Sequence, residues 1–270
     1  MAIVKGLFQA TGSIKGISFY TVTGSDKVIM RTKGGPTKKR MATGKEFEKL
    51  RKHQLEWGAC FLFARAVRGA VSEIYRLSDF NLSPVWTGMG KNLIKLDKVG
   101  EIGNRALLLS TYKQALEGFN FNRNYPYSSI LRVLPTFQIF REVLQATVTF
   151  PRINTAMDLV NLQRLPYFRL IVCLGTVSDL VYNPSLFSNY IPLNSELQGL
   201  SVSTTSEWYS TNDILSEQKL IVKFEQKFSS FFSNDLTVIL GIGVEFGNVG
   251  FGGQIIEVKR AGGAKILAVK

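Results

Sequence analysis

Apolar residues recur at Phe47, Leu50, Trp57, Phe61, Ala64, Val67, Val71 and Ile74 in steps of three, four and seven, a spacing that predicts one long helix with a single apolar face. Lys49, Lys52, Glu56, Arg68 and Glu73 fall on the opposite face, with Arg65 near the boundary. Thr43-Gly44-Lys45-Glu46 has capping-box spacing at its start, while Gly58 and Gly69 weaken the pattern and permit close packing against a neighbour. Ser83-Pro84 reads as an N-cap followed by proline at the first helical position, opening a shorter helix through Val85, Met89, Leu93 and Leu96. A third helical piece is expected over residues 104–117. Ahead of these helices, residues 17–22 and 27–31 are rich in β-branched and aromatic side chains, and Thr23-Gly24-Ser25-Asp26 supplies turn chemistry between them. A β-hairpin is expected there, then a Gly34-Gly35-Pro36 break and a basic arm leading into the first helix.

Beyond residue 118 the pattern changes. Residues 118–129 are rich in Asn and aromatics with neither helical nor strand period, and read as an ordered loop between two halves. Short runs at 142–150, 167–174, 199–204, 219–224, 236–246, 254–259 and 265–269 then read as successive strands separated by Pro, Gly, Asn and Ser clusters. In the fifth, Val238, Leu240, Ile242, Val244 and Phe246 alternate with Thr237, Gly241, Gly243 and Glu245, which predicts one buried face, although Ile239 departs from it. The fold class is therefore α+β: an N-terminal hairpin and basic arm (1–42), a helical region (43–118), a connecting loop (119–140) and a C-terminal antiparallel β-sandwich, Ig-like or jelly-roll-like (141–270).

Composition sharpens this picture. A chain of 270 residues with 45% hydrophobic and 11% aromatic content can bury a large core, which argues against disorder for most of it. The net charge of +13 is concentrated: residues 1–52 carry twelve Lys/Arg against three acids, leaving only +4 for the remainder. Such a balance favours acidic partners. Arg31, Lys33, Lys38, Lys39 and Arg40 form the candidate site for nucleic acid or an acidic protein patch, since cations at this density neutralise several phosphates and release counterions. Phe19 and Tyr20 nearby are candidates for base stacking or subunit contact. The competing reading of the arm is a solvated linker. Phe119, Phe121, Arg123, Tyr125 and Tyr127 of the connecting loop are candidates for a subunit contact or, alternatively, a core-capping loop.

Catalytic chemistry has no comparable signal. His53 is the sole histidine and sits among Arg51, Lys52 and Gln54, with no carboxylate identified to orient it. Cys60 and Cys173 belong to no metal-ligand or redox spacing and read as buried thiols. Gly88-Met89-Gly90-Lys91-Asn92 is similar to the end of a phosphate-binding loop but lacks its first glycine and its Ser/Thr, so a helix-internal glycine pair is the better reading. No G-x-S-x-G elbow follows a strand, and Asp79, Asp97, Glu101, Asp158, Asp179, Asp213 and Asp235 are scattered. No metal, cofactor or enzymatic activity is expected. Polar Gln9, Thr11 and Ser13 follow Lys5 too closely for a signal peptide, and no apolar run is long enough to span a membrane. These features predict a cytoplasmic or particle-associated protein.

The opening GSIKGISFYTVTGSDKVIMRTKGGP, the later TVTFPRIN followed by YFRLIV, and the closing ILGIGVEFG with GAKIL resemble a loose group of uncharacterised Bacteroidota proteins of about this size. That group shares a basic Gly-Lys-x-Gly opening and a β-rich C-terminal half, so the resemblance implies architecture and no activity. Taken together, the expectation is a self-associating structural protein, a subunit of a homo-oligomeric phage-like particle, tube or filament. The alternative is a nucleic-acid-binding module that uses the basic arm.

Overall fold

A computed structural model describes residues 2–4, 11–22, 25, 27–32, 34–185 and 189–270. It divides into two compact units, Met1–Arg51 and Lys52–Lys270. In the first, strands β1 (Ala2–Val4), β2 (Gly12–Ile14), β3 (Ile17–Thr21) and β4 (Val28–Thr32) form an antiparallel sheet of order β1-β4-β3-β2. The expected hairpin is its centre, with Phe19 opposite Met30 and Tyr20 opposite Ile29. Lys33 lies outside the described residues, as do Thr23, Gly24 and Asp26 of the turn. The basic arm is a short helix, α1 (Lys38–Thr43), because the Thr37 side chain caps it by accepting from the Arg40 N–H. The capping box does not form: the Thr43 hydroxyl donates back to the Lys39 carbonyl, and Glu46 binds Arg40 instead.

The second unit is built in layers. Helices α2 (Glu48–Ala70, most of it in this unit), α3 (Ser72–Tyr75) and α4 (Ser83–Ile94) precede a short α5 (Tyr127–Ile130). The strands are β5 (Thr136–Phe140), β6 (Gln145–Phe150), β7 (Ile153–Asn154), β8 (Tyr167–Ser178), β9 (Leu180–Tyr182), β10 (Tyr190–Pro192), β11 (Ser201–Thr205), β12 (Tyr209–Ser210), β13 (Ile214–Leu215), β14 (Gln218–Lys223), β15 (Leu236–Val249) and β16 (Ile255–Val269). A sheet of order β11-β8-β15-β16, with β12 also on β8, has α2, α3 and α4 on one face and the β14-β6-β5 sheet, together with α5, on the other. The C-terminal half is thus sandwich-like, as its alternation predicts.

Three local expectations are corrected. Strand β15 is buried on both faces rather than one, because Gly241 and Gly243 clear room for the helical layer. A Cβ on Gly241 would stand 2.3 Å from Ile74 Cδ1, and one on Gly243 would stand 2.9 Å from Leu77 Cδ1. Residues 104–117 are not a helix; they form a series of turns with an isolated bridge at Leu107 and a single 3₁₀ turn at Lys113–Ala115, because the Leu107 and Ser110 N–H groups bond across to Leu180 and Asp179. The two C-terminal runs are one strand, β16, whose Gly262 (φ +133°) passes so close to the Val244 carbonyl that a Cβ would sit 2.1 Å from it.

The phase of α2 also differs. Its buried residues are Glu56, Ala59, Cys60, Phe63, Ala64, Ala66, Val67 and Ala70, while Trp57 and Phe61 are 43% and 56% exposed. The small residues of this stripe let the helix lie against glycines: a Cβ on Gly175 would fall 1.8 Å from the Ala70 carbonyl oxygen.

Candidate interaction surface

Strand alternation places Phe19 and Tyr20 on opposite faces of the N-terminal sheet. Phe19 shares its face with Ile14, Ile17, Val28 and Met30, since directly opposed residues point the same way. Val28 is the only fully buried side chain described in the first unit, and Ile14 is 63% exposed. Tyr20 faces the other side, where the Arg31 guanidinium lies over its ring at 5.3 Å from the centroid.

Lys38, Lys39 and Arg40 come together on α1, and all three are exposed. Arg40 is partly neutralised, its Nε donating to Glu46 at 3.0 Å; backbone and Arg40 hydrogen bonds hold the Glu46 carboxyl below its usual range. Arg51 fixes the C-terminal end of α1 by donating at 2.8 Å to the carbonyls of Met41 and Gly44. Arg31 is placed on the sheet, not on this helix, so the structure separates the predicted cations into a helical pair, an ion-paired arginine and a strand residue.

Most of the loop candidates are removed from any surface role. Phe121 and Tyr127 are fully buried, and Phe119 packs edge-on to Phe121 and against Trp86. Their aromatic area is consumed in covering the helical and sheet cores, so the core-capping alternative applies. Arg123 stacks over Phe80 at 4.0 Å while its N–H donates to Asp79, and Tyr125 remains 53% exposed.

The strongest electrostatics lie elsewhere, in two buried carboxylates. Glu56 accepts from Arg105 (2.7 and 2.8 Å), the Gly103 N–H (2.9 Å) and Lys91 (3.0 Å), with His53 Nδ1 at 3.8 Å. Burial opposes its ionisation, but Arg105, Gly103 and Lys91 overcome this and bring its pKa down to about 2. Lys91 of the glycine-flanked motif is therefore a structural counter-ion inside α4. Glu245, also buried, takes Arg76 and Arg169 together, and Arg169 stacks on Trp208 at 4.5 Å. Asp179, the other buried acid, is pushed up by burial and binds the Ser110 N–H and hydroxyl. Neither Glu56 nor Glu245 was singled out as a site, though an acid inside the apolar run Leu240–Phe246 is itself a signal that a cation must meet it.

No protein-family model, curated protein or solved structure matches the chain. No group of three or more His, Cys, Asp or Glu side chains suited to a metal occurs among the described residues, and no helix among them is long and apolar enough to cross a membrane. An open groove of about 1030 Å³ runs between residues 75–81 and 256–260, with Arg76, Lys259 and Arg260 offset by Asp79 and Glu257.

Proposed function

We propose that the chain is a non-enzymatic, self-associating structural protein, a subunit of a large homo-oligomeric particle, tube or filament, with its contacts made through the N-terminal sheet and the basic helix. One observation carries this reading: on one face of the N-terminal sheet Ile14 is 63% exposed beside half-buried Ile17, Phe19 and Met30, and Val28 is the single buried side chain described in the first unit. A small sheet without a core of its own gains stability only when that face is covered, and a second copy is the partner a structural protein always has at hand. The locking of Glu56 and Glu245 into arginine and lysine pairs supports the non-enzymatic part, because Glu56 is held charged and the oxygens of both carboxylates are already taken up by cations. Such an assembly belongs in the cytoplasm or in a particle formed there.

Sedimentation velocity of the full chain over a range of concentrations tests the proposal. Concentration-dependent assembly that is reduced by Phe19→Asp or Ile17→Asp is expected; a monomer at every concentration overturns it. Nucleic-acid binding through Lys38 and Lys39 is the second reading, favoured by their exposure side by side on α1. A gel shift that weakens steeply with salt and is reduced by K38A/K39A supports that reading, whereas unchanged binding by the variant removes it.

A further inference from the structure

The second unit holds a groove of about 720 Å³ whose charged lining, among the described residues, is all basic. Arg65 and Arg68 line it from the exposed side of α2, and no Asp or Glu among the described residues does. Among the described residues neither arginine forms an ion pair, in contrast to Arg76, Arg105 and Arg169, which are taken up by buried carboxylates. Arg68 is held in place by its position over the Tyr75 ring, 4.7 Å from the centroid, which leaves the guanidinium edge available to accept a partner.

The opposite wall is fixed against α2. A Cβ on Gly69 would lie 2.3 Å from the Gly199 carbonyl oxygen, and Gly199 itself adopts φ +71° against Ala66, so helix and loop meet backbone to backbone. This wall contributes Ser195 and Gln198. The Gln198 Oε1 accepts from the Ser178 N–H at 2.7 Å, so the amide end left for the groove is its NH₂ donor. Leu62 and Pro192 add apolar lining beside these donors. The volume falls in the roughly 300–1,000 Å³ range of small-molecule sites.

The geometry points to a binding site, in this groove, for a small phosphate-bearing molecule with a flat or apolar body. Two arginine forks, a hydroxyl and an amide NH₂ outnumber what a two-oxygen carboxylate can accept and suit the three outer oxygens of a phosphate monoester. The site is independent of the N-terminal cations and of self-association.

Isothermal titration calorimetry of the full chain, at ionic strength held constant with NaCl, tests it with phenyl phosphate, inorganic phosphate and benzoate. Saturable binding of phenyl phosphate is expected, tighter than that of inorganic phosphate or benzoate. R65A/R68A lowers affinity about a hundredfold, about tenfold for each lost charge-assisted contact. R65K/R68K, which keeps the charge but loses the fork, still weakens binding about tenfold, and Q198L provides a variant outside the helix that also weakens it. K38A/K39A binds as the parent chain does. The proposal is overturned by absence of saturable binding, by benzoate binding equally well, by R65A/R68A or R65K/R68K leaving affinity unchanged, or by K38A/K39A abolishing it.

Discussion

Glu56 and Glu245 show how single residues decide what surrounds them. Each is a charge that the core tolerates only because two cations and, for Glu56, a backbone N–H satisfy it. Glu56→Gln leaves Arg105 and Lys91 without their shared counter-charge and is expected to cost about 3 kcal/mol in denaturant-melt stability. The same carboxylate links stability to pH. Its folded pKa lies below the ordinary value of 4.5, at about 2, so its contribution is complete above 4.5 and is lost as pH falls through that interval. Acid titration followed by circular dichroism is expected to show a flatter pH dependence between about 4.5 and 2 in Glu56→Gln than in the parent chain.

At the scale of the element, α2 carries two candidate faces of similar period. The large side chains Trp57 and Phe61 mark one, yet the small-residue stripe of Ala59, Ala66 and Ala70 is the face that packs. Close approach to Gly175 and Gly199 makes this choice, since backbone-to-backbone contact has no room for larger side chains there. Trp57→Ser and Phe61→Ser are therefore expected to change stability by only about 0.5 kcal/mol, whereas Phe63→Ala costs about 4 kcal/mol; chemical denaturation of the three variants checks the phase of the helix. Gly175→Ala forces a Cβ to within 1.8 Å of the Ala70 carbonyl oxygen and is expected to lower stability by about 3 kcal/mol or to abolish folding, read by the same melt.

For the whole molecule, both hydrophobic cores belong to the second unit, and the central β8 and β15 strands serve both. Odd-numbered Ile171, Cys173 and Ile239 face the helices, and even-numbered Val172, Leu174, Leu240 and Ile242 face the small sheet. A chain lacking residues 1–42 is accordingly expected to keep a single cooperative thermal transition with a midpoint close to that of the full chain, measured by calorimetry, while losing the association proposed for the full chain.

Local physics made the N-terminal hairpin, the Pro-led start of α4, the main C-terminal strands and, among the described residues, the absence of a helix long and apolar enough to cross a membrane legible from residue order alone, because each depends on neighbours within a few positions. The basic cluster was equally visible, as charge is a property of composition. Tertiary structure alone decided that Phe121 and Tyr127 go inside, that residues 104–117 run as turns instead of a helix, and that Glu56 gathers Arg105 and Lys91 from distant segments. It also set Arg65 and Arg68 beside a groove that no Asp or Glu among the described residues lines. These outcomes depend on which surfaces meet and how closely their backbones approach, and no period along the chain encodes a distance between residues far apart in it.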